Sequence, residues 1–504
     1  MAAKKPHSSH SLILAFDVGT SSLRTTLFST RGERLLKTTA QATYPLRYTS
    51  DGGAELLPNL LRKAARDCLE KTLQALRDDA ALRKPPILGV GMSSFWHSVI
   101  GTDEENKPLT PVYTWVDSRC RTVAAKLRAE LGEREVHART GCMLRSSFWP
   151  AKLVWLRERD AKLFSRVKMW MSPAEWLYHE FVGEAVCGLS MASGTGFFNA
   201  HTLKWDEPML ERCDLTENKL HTLSEISVAN ARCGRFFPEL KNVPWFPAIG
   251  DGAASNLGSG ATHPGLAAIN VGTSAALRVM RSGGVAQAPF GLFCYRVDEQ
   301  RYLVGGAVSN AGNLRAWCLR ELRLDNFTDA QIEREMARRA APEHGLLVLP
   351  FWSAERAPTW DENRRGLIEG ITHNTTALDL LQAITESSYF RIARIAELVL
   401  EQEKSAPRFI VSGGIQRSRS SLQRLADVLN LPIYPNDEPE ASIAGAAVYV
   451  LHKLGFTLLL PRLGRPIRPR SRVAQAYARE REKQARLEKL TAFENAPPGP
   501  VAGV

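Results

Sequence analysis

The sequence predicts an α/β fold made of two related domains that face a shared cleft. Three observations predict it. An apolar run ending in Val-Gly-Thr-Ser occurs twice, within residues 13–28 and 267–280, about half a chain apart. Stretches of helical periodicity alternate with short runs of strand formers. Between the echoed halves stands an aspartate flanked by glycines, Gly250-Asp251-Gly252.

Each copy of the echo reads as a β-hairpin with glycine at its bend. Residues 56–76 carry leucines, alanines and a cysteine along one helical face. Residues 378–400 are longer and more apolar, so a deeply buried helix is expected. Residues 441–454 open with Ala-Ser-Ile-Ala-Gly-Ala-Ala, small side chains that permit close packing or close approach of a ligand. Residues 460–472, rich in proline and arginine, read as a linker. A charged, moderately amphipathic helix is expected over 473–493, either docked on the body or mobile. The Ala-Pro-Pro-Gly-Pro segment after it has the composition of a disordered tail. The expected division is a tail at 1–11, domains at 12–259 and 260–460, and a basic extension at 461–504.

Apolar residues make up 44% of the 504 positions and charged residues 23%, a composition able to bury a large core. No run is long and apolar enough to span a bilayer, and residues 1–10 lack the apolar centre of a signal peptide. A cytoplasmic protein with no membrane partner is therefore expected. The eight cysteines form no Cys-x-x-Cys pair, so reduced, buried thiols are expected. The net charge of +12 is concentrated toward the C-terminal segment. Such a surface suits handling of small anions, and no nucleic-acid role is expected. A homodimer is an open option for the assembly.

Phosphoryl transfer needs backbone donors for the phosphates, a metal, a base for the acceptor hydroxyl, and exclusion of water. The chain offers candidates for each. In Asp17-Val18-Gly19-Thr20-Ser21-Ser22, a tight turn can turn its amides on an anion while the hydroxyls add donors. Asp17, ending an apolar strand, needs a partner such as hydrated magnesium. Asn270 stands at its place in the second copy, which suits one metal site rather than two. Gly272-Thr273-Ser274 forms the opposing clamp. Asp251 is either a turn residue or a carboxylate at a helix start that faces the cleft. The glycines Gly413 and Gly414 end a buried strand and leave flat backbone for a nucleotide. Trp96, His97, Trp115, Asp117 and Arg119 cluster after apolar strands; they read as a sugar-binding wall or as core tryptophans with an ion pair.

Taken in order, these elements resemble the FGGY family of carbohydrate kinases from about residue 12 to 455. The resemblance rests on Asp-x-Gly-Thr-Ser at Asp17, Trp-x-Asp-x-Arg at Trp115, Gly-Asp-Gly at Asp251 and Gly-Thr-Ser at Gly272. It continues with Glu-Arg-Ala-Pro at Glu355, Ser-Gly-Gly at Ser412 and the small-residue helix after Glu440. It implies two ribonuclease-H-like domains of the actin/hexokinase type around a cleft. It also implies transfer of the ATP γ-phosphoryl group to a sugar hydroxyl with Mg2+. Asp251 would be the base and Asp17 the magnesium carboxylate. Gly19, Thr20, Ser21, Ser22, Gly272, Thr273 and Ser274 would hold phosphates, with Gly413 and Gly414 at the adenosine. Trp96, His97, Trp115, Asp117 and Arg119 would bind sugar. Residues 94–98 and 140–156 and the arginine-rich end look most like those of bacterial gluconate kinases, which implies D-gluconate phosphorylated at C6. Arg119, Lys152 and His97 are then the candidate cations for the carboxylate. Other sugars, xylulose or glycerol among them, and a non-catalytic nucleotide-binding regulator remain alternatives.

Overall fold

The computed structural model describes residues 11–491 except 84, 285, 404–405, 437, 439 and 459–462. The two expected tails therefore lie almost wholly outside the described residues. Two mixed sheets organise the chain. In the first, Leu12–Val18 pairs antiparallel with Ser22–Ser29, which pairs antiparallel with Ala40–Thr43. On its other side Leu12–Val18 runs parallel to Ile87–Ser94, which runs parallel to the short strand Ile249–Gly250. The second sheet repeats this plan. Leu266–Val271 pairs antiparallel with Ala275–Ser282, which pairs antiparallel with Arg301–Val308. Leu266–Val271 also runs parallel to Arg408–Ser412, which runs parallel to Ile433–Pro435. Phe293–Arg296 extends the second sheet at its antiparallel edge.

The sequence echo is thus the first hairpin of each sheet, and the two bends differ by one residue. Val18 pairs with Leu23 around a four-residue bend, and Val271 pairs with Ala275 around a three-residue bend. Both close alike, Gly19 N–H donating to Ser22 O at 2.8 Å and Gly272 N–H to Ser274 O at 2.9 Å.

The helix Asp251–Gly258 crosses the helix Ala441–Lys453, which also packs on strands of the first sheet. A Cβ at Gly445 would overlap Ala254 O, and one at Gly258 would overlap Ala441 O. Close helix packing, rather than ligand approach, therefore explains the glycine within the small-residue run after Glu440.

The expected helix at 378–400 is Ala377–Leu400, capped by Thr376 and buried along most of its length. The helix Ser471–Thr491 docks on the second domain, with Tyr477 buried and its hydroxyl 2.7 Å from Glu386. The described part of the expected linker is pinned as well. Ile467 bridges Ile433, and Arg470 bonds Asp427 at 2.7 Å. All eight cysteines are free and buried. No helix among the described residues is long and apolar enough to cross a membrane.

Candidate active site

Asp251 is the first residue of its helix, with Gly250 as the N-cap. The strand Ile249–Gly250 beside Ile87–Ser94 brings it to the end of the first sheet where Asp17 also lies. Its Oδ1 accepts the Gly252 amide at 2.7 Å, and a helix N-terminus favours a carboxylate. Burial nevertheless raises its pKa, against the opposing pull of Arg278, the Gly252 amide and Arg356. Asp17 is raised to about 6, first by burial, and the charge of Asp251 adds to the rise. The two carboxylates therefore sit close enough to feel one another, and Asp251 lines a cavity.

That cavity lies between the domains. Thr20 of the first bend and Ser274 of the second both line it, as do Asp251, Trp96, His97 and Trp115. The amides of Thr20, Ser21, Thr273 and Ser274 have no acceptor among the described residues, as a phosphate-binding turn requires. Trp115 Nε1 donates to Thr20 Oγ1 at 3.1 Å, tying the aromatic wall to the first bend. The Arg356 guanidinium lies 5.1 Å from the Trp115 ring centroid, a cation–π contact across the cleft.

Glycines around Asp251 are there for space. A Cβ at Gly250 would overlap the Trp96 ring. One at Gly252 would lie 2.6 Å from Trp96 Cζ3 and 2.8 Å from Arg278 Nε. Trp96 is held by Nε1 donating to Ser190 O at 2.9 Å. His97 lies against Gly194 O through Nδ1 at 2.5 Å, and burial pushes its pKa down to about 3, so the ring is neutral at physiological pH.

The structure does not bring all the sequence candidates together. Asp117 and Arg119 do not line the cavity. Asp117 accepts from the Ala54 amide at 3.1 Å, and Arg119 pairs with Asp117 and Glu55 at 2.5 and 2.7 Å. Glu55 neutralises what the sequence presents as a free Asp–Arg pair. Arg119 is thus removed as a reader of a distant carboxylate. Lys152 is removed likewise, its Nζ donating to Ser146 O and, at 2.9 Å, to Ser147 O. Gly413 has φ +91°, and a Cβ there would lie 2.6 Å from Val271 O, so this glycine fits strand to strand.

Sequence reasoning did not single out Arg278, Tyr295 or Arg356, all of which line the cavity. A signal existed for Arg278, an arginine inside the otherwise apolar strand that follows the second Gly-Thr-Ser.

This geometry matches what comparison with known proteins finds. The N-terminal domain of the FGGY family of carbohydrate kinases matches residues 12–258 and the C-terminal domain matches residues 267–453. The chain belongs to the FGGY family of carbohydrate kinases. Among similar proteins, the gluconokinase of Bacillus subtilis (strain 168) is 29% identical over 468 residues, covering 88% of each chain. A xylulose kinase of Staphylococcus xylosus is 24% identical over 446 residues, covering 86% of this chain and 89% of its own. A solved gluconate kinase from Lactobacillus acidophilus superposes with a TM-score of 0.87 at 24% identity, covering 96% of this chain and 99% of its own. The fold is thus that of FGGY kinases, two related domains about a cleft.

Proposed function

We propose that the chain transfers the γ-phosphoryl group of ATP to a hydroxyl of a sugar acid, with D-gluconate giving 6-phosphogluconate. One observation carries the reading: the Asp251 carboxylate, at the start of its helix, faces a cavity bounded by Thr20 of one bend and Ser274 of the other. A hydroxyl bound there has its base on one side and a nucleotide gripped by two bends on the other.

In this reading the unpartnered amides of Thr20, Ser21, Thr273 and Ser274 bind phosphate oxygens. Trp96 and Trp115 offer apolar faces to the C–H faces of the sugar. Asp251 takes the proton of the attacking hydroxyl. Its raised pKa keeps it a competent acceptor as the oxygen becomes more acidic on bonding to phosphorus. Among the described residues no group of three or more His, Cys, Asp or Glu could cage a metal. Asp17, whose neighbour Arg24 at 3.8 Å is shared with Glu440, would hold magnesium through its one carboxylate, and its burial favours a bound cation. Magnesium bound there would neutralise phosphate charge. Closure of the domains would exclude water.

The choice of D-gluconate is supported by the likeness to gluconokinases and by a cavity lined with cations, Arg278 and Arg356, rather than with carboxylates beyond Asp251. The test is ADP release by the purified protein over D-gluconate, D-xylulose, glycerol and other sugar acids at matched concentrations. The highest kcat/KM is expected on D-gluconate. A neutral sugar turned over at least tenfold better would reject the acid while leaving the kinase chemistry intact.

A further inference from the structure

Arg278 lines the cavity and forms no ion pair among the described residues, although the Asp251 charge is near enough to act on it. Its Nε is buried without a hydrogen-bond partner, and no carboxylate lies within ion-pairing distance among the described residues. Burial lowers its pKa, and the nearby Asp251 charge only partly offsets that. The Tyr295 hydroxyl, which lines the same cavity, is also buried without a partner. Its ring is fixed by stacking on Phe293 at 4.5 Å and by contact with Trp96 at 4.9 Å. A guanidinium nitrogen buried without a partner, in a cavity with a hydroxyl buried likewise, is unfavourable unless a bound group completes the site.

Strand geometry says where that anion would lie. Ala275–Ser282 starts directly after the second bend. Residues two apart share a face and stand about 6.5–7 Å apart, so Ala276 and Arg278 face the same side. Going inward from Ser274, the wall presents a hydroxyl, then a methyl group, then a guanidinium. Ala276 leaves room for a carbon chain between the phosphate end and Arg278. The other cations near the cavity are engaged or neutral. Arg356 donates to Ser309 Oγ at 3.2 Å and Val308 O at 3.3 Å, Lys152 is bound to backbone carbonyls, and His97 carries no charge.

We propose that Arg278, assisted by the Tyr295 hydroxyl, binds the carboxylate of the sugar acid and so sets the preference of this kinase for acids over neutral polyols. The proposal rests on the sugar-acid reading above. Gly252 belongs to the same device, because the guanidinium packs where its Cβ would be.

The test compares D-gluconate with D-glucitol, the same six-carbon chain with a hydroxymethyl group in place of the carboxylate. For the unaltered enzyme, kcat/KM should favour D-gluconate. In Arg278→Gln the ratio should fall by about two orders of magnitude, through a raised KM for D-gluconate. Arg278→Lys should restore part of it, and Tyr295→Phe should lower it by about tenfold. Circular dichroism and ATP binding confirm that each variant is folded. A folded Arg278→Gln enzyme with unchanged KM for D-gluconate would overturn the proposal while the sugar-acid reading stands. An unaltered enzyme that prefers D-glucitol would overturn both.

Discussion

Arg391 and Glu488 meet at 2.5 Å, joining the long helix Ala377–Leu400 to the last helix of the described chain. The same guanidinium binds Glu355, the residue preceding the cavity arginine Arg356. All three side chains are largely buried, with Arg391 only 5% exposed. Burial raises the Glu355 pKa to about 7 even though Arg391 opposes it, and the Glu488 charge pushes in the same direction as burial. The C-terminal helix is therefore wired to the loop that carries Arg356.

Glu488→Gln should remove one charge from a buried network that keeps Glu355 as its second anion. A loss of about 1–3 kcal/mol in urea unfolding is expected. Because Arg356 shares the loop, KM for sugar should rise several-fold while kcat changes less. An unchanged unfolding midpoint would show that the docked helix contributes nothing to the body.

With Asp17 as the magnesium carboxylate, the proposed mechanism predicts a pH-dependent metal requirement. Its pKa in the fold, about 6, lies above the ordinary carboxylate value. Its contribution to stability is thus present below about pH 4 and is lost as pH rises through about 6. A divalent cation reverses the balance by favouring the ionised form. Half-saturation by magnesium, measured at fixed ATP, should fall between pH 5 and 7 by more in the unaltered enzyme than in Asp17→Asn. Equal slopes would remove Asp17 from the metal site.

His97 works in the opposite direction. Burial depresses its pKa from 6.5 to about 3. Its contribution is present above about pH 6.5 and is lost as pH falls toward 3, because the unfolded chain takes up the proton first. Between pH 7 and 5 this uptake of a proton by the unfolded chain amounts to about 2 kcal/mol of lost stability. His97→Gln should lose less stability over that interval, compared by urea midpoints at the two pH values. An equal loss in both would mean the ring protonates normally in the fold.

Much of this architecture was legible in the sequence, for identifiable reasons. The hairpins at Gly19 and Gly272 are local structures, set by an apolar run and a bend. The helix Ala377–Leu400 has its own cap and its own apolar face. Asp251 stood out because glycines isolate it between the repeated halves. What was illegible depends on partners distant in sequence. Asp117 and Arg119 resemble a sugar wall until Glu55 arrives from another strand. Gly252 resembles a turn residue until the side chain of Arg278 is placed over it. Arg278 itself resembles an ordinary strand arginine, because its place in a cavity is set by pairing with Arg301–Val308 and by the crossing of two helices. The amphipathicity of the C-terminal segment foretold a helix but could not name Glu386, Arg391 and Glu397 as its anchors.

The central claim is that Asp251 accepts the proton of the attacking hydroxyl, and the most direct test is single-turnover phosphoryl transfer by Asp251→Asn. ATP binding should be retained, while the rate should fall by about two to four orders of magnitude. A folded variant that transfers phosphate at nearly the unaltered rate would contradict the account.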